Sequence, residues 1–331
     1  MNRRPLCSAL ILAAASVASQ PALAEFQNES FSVFGAAGFE WVSYEEKIPN
    51  FAGHKVKSDF DAVNFVQRTG GYTAINQDWG FYISTASTLI AMERMEEWNA
   101  SGFSGPIQQD MATMNFNTID LTMAYHLGNG TYLSAGGHYQ KIAFSRFDWK
   151  STSNSSAFAD SVETSLRNDS GYMNQVNTDV ANGVYEGINT VDEYFDAIRF
   201  SPEENQDVIL EDAATFGAML GIGYDSYFMD RNPGVRWLGS VEAGSVVYEH
   251  VLNTANTRAM NKAFAGGIDA RMRLGVGYQF SKAFALMLMS DAHYSHRDAI
   301  TERTSEGTVS RPENTMTALS GYLSLSWNFR S

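Results

Sequence analysis

The sequence lacks several things, and each absence narrows what it can be. A single cysteine, Cys7, among 331 residues excludes a disulfide framework, an iron–sulfur site and a cysteine zinc site. In any form lacking its first residues it excludes a thiol nucleophile too. Basic residues are scarce, 23 against 37 acidic ones, for a formal net charge of −14, so the chain lacks the basic surface that phosphate binding needs and no nucleic-acid partner is expected. No apolar run after the N-terminal segment approaches the roughly 18 residues of a spanning helix, Ala283 to Met289 being far shorter. That excludes a helical inner-membrane protein. GxxxxGK[ST] and HExxH are both missing, so neither a cofactor nor a metal site is expected.

What is present begins with an address. Arg3 and Arg4 precede an apolar run from Leu6 to Val17, then Ala22-Leu23-Ala24, which reads as a cleaved signal peptide over 1–24 and an exported body over 25–331. The body is written in period two. Ile268, Ala270, Met272, Leu274, Val276, Tyr278 and Phe280 are apolar, with Asp269, Arg271, Arg273 and Gln279 between them. Leu319, Leu323, Leu325, Trp327 and Phe329 alternate with Ser320, Tyr322, Ser324, Ser326 and Asn328, and Ile119 to Leu127 repeats the pattern. A soluble sandwich seldom puts Asp, Arg and Arg mid-strand, whereas in a bilayer the polar face becomes the lumen.

Ten strands are expected, at about Phe31 to Tyr44, Phe60 to Ile75, Trp79 to Leu89, Thr118 to Leu127, Thr131 to Trp149, Ala213 to Tyr224, Val235 to His250, Ile268 to Phe280, Phe284 to Arg297 and Met316 to Phe329. They reach the roughly 9 to 11 residues that a tilted strand needs to cross hydrocarbon. An open edge in lipid would leave backbone groups unsatisfied, so the fold class is all-β, a closed antiparallel transmembrane barrel. Tight connections at Asn76 to Asp78, Gly128-Asn129-Gly130, Asp225 to Gly234 and Ser281 to Ala283 face the periplasm, and long polar ones face outside. Trp41, Trp79, Tyr125, Tyr132, Trp237, Phe280, Phe284, Trp327 and Phe329 suit the two interfacial girdles.

Segment 151–212 breaks the alternation. Met173, Val176, Val180, Val184, Ile188, Val191, Phe195 and Ile198 recur at helical spacing, interrupted near Gly183 or Gly187, with a shorter companion through Phe158, Val162 and Leu166. This is a helical extracellular loop or a plug. Inward-facing polar positions form an expected lumen network of Asp120, His126, His138, Arg236, Glu242, Asp269, Arg271, Arg273, Asp291 and His293. About ten strands leave at most a narrow, side-chain-lined path.

The strand pattern and the aromatic-rich final strand resemble the outer-membrane β-barrels of Gram-negative bacteria. That resemblance implies an outer-membrane location, contact with outer-membrane lipid and lipopolysaccharide, and recognition of the C-terminal strand by the barrel-assembly machinery, although here Phe329 is followed by Arg330 and Ser331. Asp291-Ala292-His293-Tyr294 resembles half of the active site of omptins, ten-stranded outer-membrane proteases, and Met95-Glu96-Glu97-Trp98 resembles their Asp-x-Asp-Trp string. In omptins the Asp-x-His string follows the seventh strand, a place occupied here by Glu249-His250. His293-Tyr294-Ser295 is also similar to the His-x-Ser string of lipid A deacylases. The leading expectation is a barrel that is not an enzyme, with porin-like passage of small solutes at most and acidic loops outside. The alternative is an omptin-like protease or lipid-modifying hydrolase using Asp291 and His293, with Glu97 and His250 as further candidates.

Overall fold

A computed structural model describes residues 30–202, 208–229, 232–254, 259–263, 266–304 and 307–330. The expected signal peptide lies outside the described residues. Fourteen strands run in chain order: β1 (Ser30–Phe51), β2 (His54–Ala74), β3 (Trp79–Ile90), β4 (Arg94–Ala100), β5 (Pro106–Gly128), β6 (Thr131–Ser151), β7 (Ile209–Asp225), β8 (Gly234–Asn253), β9 (Met260–Ala263), β10 (Gly267–Gln279), β11 (Phe284–Arg297), β12 (Ile300–Thr304), β13 (Gly307–Arg311) and β14 (Glu313–Arg330). Helices α1 (Ser155–Asn168), α2 (Ser170–Ala181) and α3 (Val191–Ala197) lie between β6 and β7. No described helix is long and apolar enough to cross a membrane.

Each wall strand pairs antiparallel with its neighbours, and β1 pairs with both β2 and β14, which closes the ring. The wall has ten positions, because β3 and β4 share one between β2 and β5 while β9, β12 and β13 stand outside the count. The interruption at 91–93 is bridged by buried Asn64. Its Oδ1 accepts from the Met92 amide at 3.1 Å, and its Nδ2 donates to the Met114 carbonyl at 3.1 Å. All four expected tight connections join consecutive wall strands. In one of them Asn129 and Gly130 both have positive φ, 52° and 77°, the backbone that a two-residue hairpin turn requires.

The side chains divide by parity. On β14 Leu319, Leu323, Leu325, Trp327 and Phe329 face outward, and Ser320, Tyr322, Ser324 and Asn328 are buried inside. From Phe329 to Leu319, at about 3.3 Å per residue and a tilt near 40°, the apolar outer face rises about 25 Å, the height of a barrel's lipid band. Its lower edge carries paired rings, Trp79 with Tyr125 at 5.0 Å, Phe284 with Trp327 at 5.4 Å and Phe31 with Phe329 at 5.9 Å. Tyr132 departs from the expected girdle. It turns into the lumen against Phe228, while its neighbour Leu133 takes the lipid side.

Several strands run well past the band. β1 and β2 meet at a two-residue turn, where a long loop over 45–59 is expected from the sequence, and β5 begins twelve residues before Thr118. Above the band the outer face meets water and may be polar, so the apolar alternation disappears although the ladder continues. Lys57 bonds Glu45 at 2.5 Å and Asp59 at 2.8 Å on that face. Inside the same segment Val42, Tyr44, Phe60, Ala62, Met114, Phe144 and Met316 pack into a core, none more than 4% exposed.

Candidate functional site

The lumen is crossed in its middle by direct contacts between opposite walls. Asp120 on β5 accepts from Arg271 Nη1 on β10 at 2.7 Å, and His138 Nδ1 lies 2.7 Å from the same carboxylate oxygen. The His138 Nε2 is 2.6 Å from Arg271 Nη2. The same Nη2 lies 2.8 Å from His138 Nδ1, so one guanidinium nitrogen crowds both ring nitrogens. One layer higher, Asp269 takes Arg297 Nη2 at 3.0 Å and approaches His293 Nε2 at 3.3 Å, while Arg297 reaches Gln140 on the far wall at 3.2 Å. Asp291 pairs with Arg273 at 3.0 Å and also with Arg68. The space left among Glu40, Arg68, Arg273, Asp291 and His293 is about 20 Å³, enough for about one water.

Of the ten inward positions expected from the sequence, seven come together here: Asp120, His138, Asp269, Arg271, Arg273, Asp291 and His293. Glu242 lines the same void and meets Ser134 at 3.4 Å. The other two sit lower. Arg236 grips Asp225 through two bonds of 3.1 and 2.7 Å at the start of the β7–β8 turn. His126 takes a 2.6 Å hydrogen bond with Tyr72, and the Phe228 ring from that same turn meets it edge to face with centroids 4.6 Å apart. Phe228 thus seats in the short-turn end of the lumen below a chamber of about 130 Å³. Tyr132 and Tyr72 lie flat over Gly223 and Gly80, where a Cβ would come within 2.4 Å of a ring atom.

The four catalytic candidates do not converge. Asp291 and His293 are in the ionic middle, each bonded to the partners above, rather than near the outer rim, where their place toward the far end of the Phe284–Arg297 strand would put them. The reason is the upward extension of β1, β2, β5 and β6, which puts the mouth well above the end of β11. Glu97 and His250 face away from the lumen, Glu97 accepting from Gln109 at 2.9 Å and His250 meeting Asn261 at 2.6 Å. Their sequence neighbours point inward instead. Glu96 and Glu249 are 0% and 1% exposed, and each is tied to an arginine.

Those two acids belong to a layer at the mouth that the sequence reading misses. Arg146 forks onto Glu96 with bonds of 2.6 and 3.0 Å and reaches Glu46 at 3.0 Å, and Tyr44 donates to Glu46 at 2.9 Å. Arg311 donates to Glu249 at 2.9 Å, and Asn253 to Glu211 at 2.9 Å. Above this floor opens a vestibule of about 350 Å³, walled by Phe51, Val56, Trp98, Trp149, Phe158 and Ile209 among others. The only clue in the sequence is strand parity, which sets Glu96 and Glu249 opposite to Glu97 and His250.

The helical segment roofs one side. Asp169 caps α2 by accepting from the Gly171 and Tyr172 amides, and Thr190 with Glu193 forms a capping box on α3. Gly183 and Gly187, with φ of 66° and 77°, turn the chain between them. Most of the apolar stripe packs on itself, Val176, Tyr194 and Phe195 being buried with Leu166, Met173 and Val180 around them. Phe158 reaches down, buried with Val56, Ala100 and Ile107 at the strand tips, and Val162 and Phe200 pack beside it. Ser155 and Thr152 fasten this end to the Ile107 and Pro106 carbonyls at 2.5 and 2.6 Å.

No protein-family profile matches the chain, and no curated protein matches it in sequence. Solved structures do match in shape. The outer membrane protease OmpT from Escherichia coli superposes with a TM-score of 0.57 at 8% identity, over 93% of this chain and 99% of that one. The outer membrane protein OprG from Pseudomonas aeruginosa aligns over 92% of this chain and 98% of its own, with 9% identity and a TM-score of 0.32. At such identities the likeness concerns the fold, and the chain has the fold of a Gram-negative outer-membrane β-barrel.

Proposed function

We propose that the protein is an integral outer-membrane barrel whose lumen is closed to solutes and whose working surface is its outer mouth. One observation carries this reading: opposite walls touch through Arg271 with Asp120 and Arg297 with Gln140, directly beneath an apolar layer no more than 4% exposed. A conduit needs a continuous wet path, and a void of about 20 Å³ between two such layers offers none. The apolar outer face supports residence in a lipid bilayer, with export through the N-terminal segment and assembly through β14. The hydrolase alternative needs its histidine and carboxylate to face an open cleft, whereas His138 with Asp120 and His293 with Asp269 lie in the packed middle of the lumen.

Planar-bilayer recording tests the closed lumen. The wild-type protein is expected to give no resolved conductance steps, and Phe60→Ala with Phe144→Ala, which thins the apolar layer, is expected to give at most rare, small ones. Steady stepwise conductance from the wild type would overturn the reading.

A further inference from the structure

The vestibule has the dimensions of a ligand site and an uneven charge balance. Its volume of about 350 Å³ lies within the about 300 to 1,000 Å³ typical of small-molecule pockets. Arg146, on its floor, is fully engaged by Glu96 and Glu46. Arg311 is not. It is 2% exposed and gives Nη2 to Glu249 at 2.9 Å and to the Asp298 carbonyl at 3.1 Å, while its Nε and Nη1 have no hydrogen-bond partner among the described residues. Glu211, 7% exposed on the same lining, accepts from the Asn253 amide and has no cation within ion-pair distance among the described residues. Buried donors and charges left this way are costly, and a ligand that supplies the missing partners removes the cost.

We propose that the vestibule binds a small zwitterion with an apolar body, of the amino-acid class. Its carboxylate would meet Arg311, its ammonium Glu211, and its apolar part the walls formed by Trp98, Trp149, Phe158 and Ile209. A simple anion would leave Glu211 without a cation, and a simple cation would leave the Arg311 Nε and Nη1 without acceptors. Both charges on one molecule satisfy both groups. The inference rests on the closed-lumen reading, since in an open conduit the same space would be a passage.

Titration calorimetry on the folded full-length protein in detergent micelles tests it, with three probes: L-phenylalanine, 2-phenylethylamine and 3-phenylpropanoate. Saturable binding of phenylalanine is expected, with the amine and the acid each weaker by about tenfold or more, the value of one lost hydrogen bond to a charged group. Glu211→Gln and Arg311→Lys should each weaken phenylalanine by a similar factor. If Arg311→Lys fails to fold, Ile209→Trp, which fills the cavity from its wall, should abolish binding in a barrel that still shows heat-modifiable migration. No saturable binding of phenylalanine overturns the proposal. So does an amine or acid that binds as tightly, or a Glu211→Gln protein that binds phenylalanine unchanged. Conductance is measured separately, so failure of the closed lumen and failure of the site give different results.

Discussion

The barrel has two halves that obey opposite rules, and they meet near the level where Trp41 faces Leu319 across the β1–β14 ladder. Below it the outside is apolar, with Leu274, Val276 and Tyr278 exposed, while the inside holds the ion pairs of Asp120, Arg271, Arg273 and Asp291. Above it the outside carries Glu45, Lys47, Lys57 and Asp59, and the inside holds Val42, Phe60, Met114 and Phe144. The strands are continuous through the change. What inverts is the solvent, lipid below and water above, and burial follows it: the upper half is built like a soluble β protein with its core enclosed by the sheet.

The comparison can be broken most severely where a charge enters the soluble-like half. Arg146→Met removes the only cation bonded to Glu46 and Glu96 among the described residues, and these acids are 4% and 0% exposed. A loss of about 3 to 5 kcal/mol is expected, the range for breaking a buried pair by removing one partner. Urea unfolding followed by tryptophan fluorescence measures it. Adding Glu46→Gln and Glu96→Gln to the same variant should restore most of the loss, and a single-variant loss below about 1 kcal/mol would mean that this layer is not dry.

The lipid half is tested by a paired substitution. Leu274, midway along the outer face of β10, is 52% exposed, and Leu274→Arg should cost about 2 to 4 kcal/mol as a midplane charge. Lys57→Leu, on the outer face of the upper half, removes surface ion pairs and should change stability by about 1 kcal/mol or less. The fraction of heat-modifiable barrel after refolding into lipid reads both. Equal yields would erase the boundary drawn at Trp41.

The same inversion explains what could be read from the residues alone. In the lipid half the solvent enforces a strict period of two, so Ile268 to Phe280 and Leu319 to Phe329 announce their strands, faces and turns. In the upper half both faces are compatible with polar or apolar residues, so 45–59 and 106–117 look like loops although they are ladder. That one error moves the mouth, and with it the apparent depth of Asp291 and His293. It also hides Glu46, Glu96, Arg146, Glu211 and Arg311, which come together from distant strands across the ring. Choosing Glu97 over Glu96 is the same failure at single-residue scale, because without a lipid face to anchor the parity two adjacent acids are indistinguishable. Tyr132 fails for a local reason: a ring at the edge of the band can serve the girdle or fold inward over a glycine, and Gly223 on the neighbouring strand takes it.

A smaller loss than at Arg146 or Leu274 is expected where the two halves give way to the helical roof. The segment α1–α3 packs mainly on itself, through Val176, Tyr194 and Phe195, and it enters the wall at the ends of β6 and β7, which are ladder partners over Arg146 to Thr131. Deleting 155–200 therefore leaves two adjacent strand ends to be joined, and closure entropy changes only slowly with loop length. The barrel does lose its largest buried anchor, with Val162 and Phe200 packed beside it. Phe158 sits 1% exposed against Val56, Ala100 and Ile107, so a cost of about 2 kcal/mol is expected, the value of one large apolar side chain. Phe158→Ala in the intact chain should reproduce most of that cost, which separates the anchor from the roof. A deletion variant that does not refold into bilayers would show that the roof is an integral part of the upper core, and the soluble-like half would then extend beyond the ladder that encloses it.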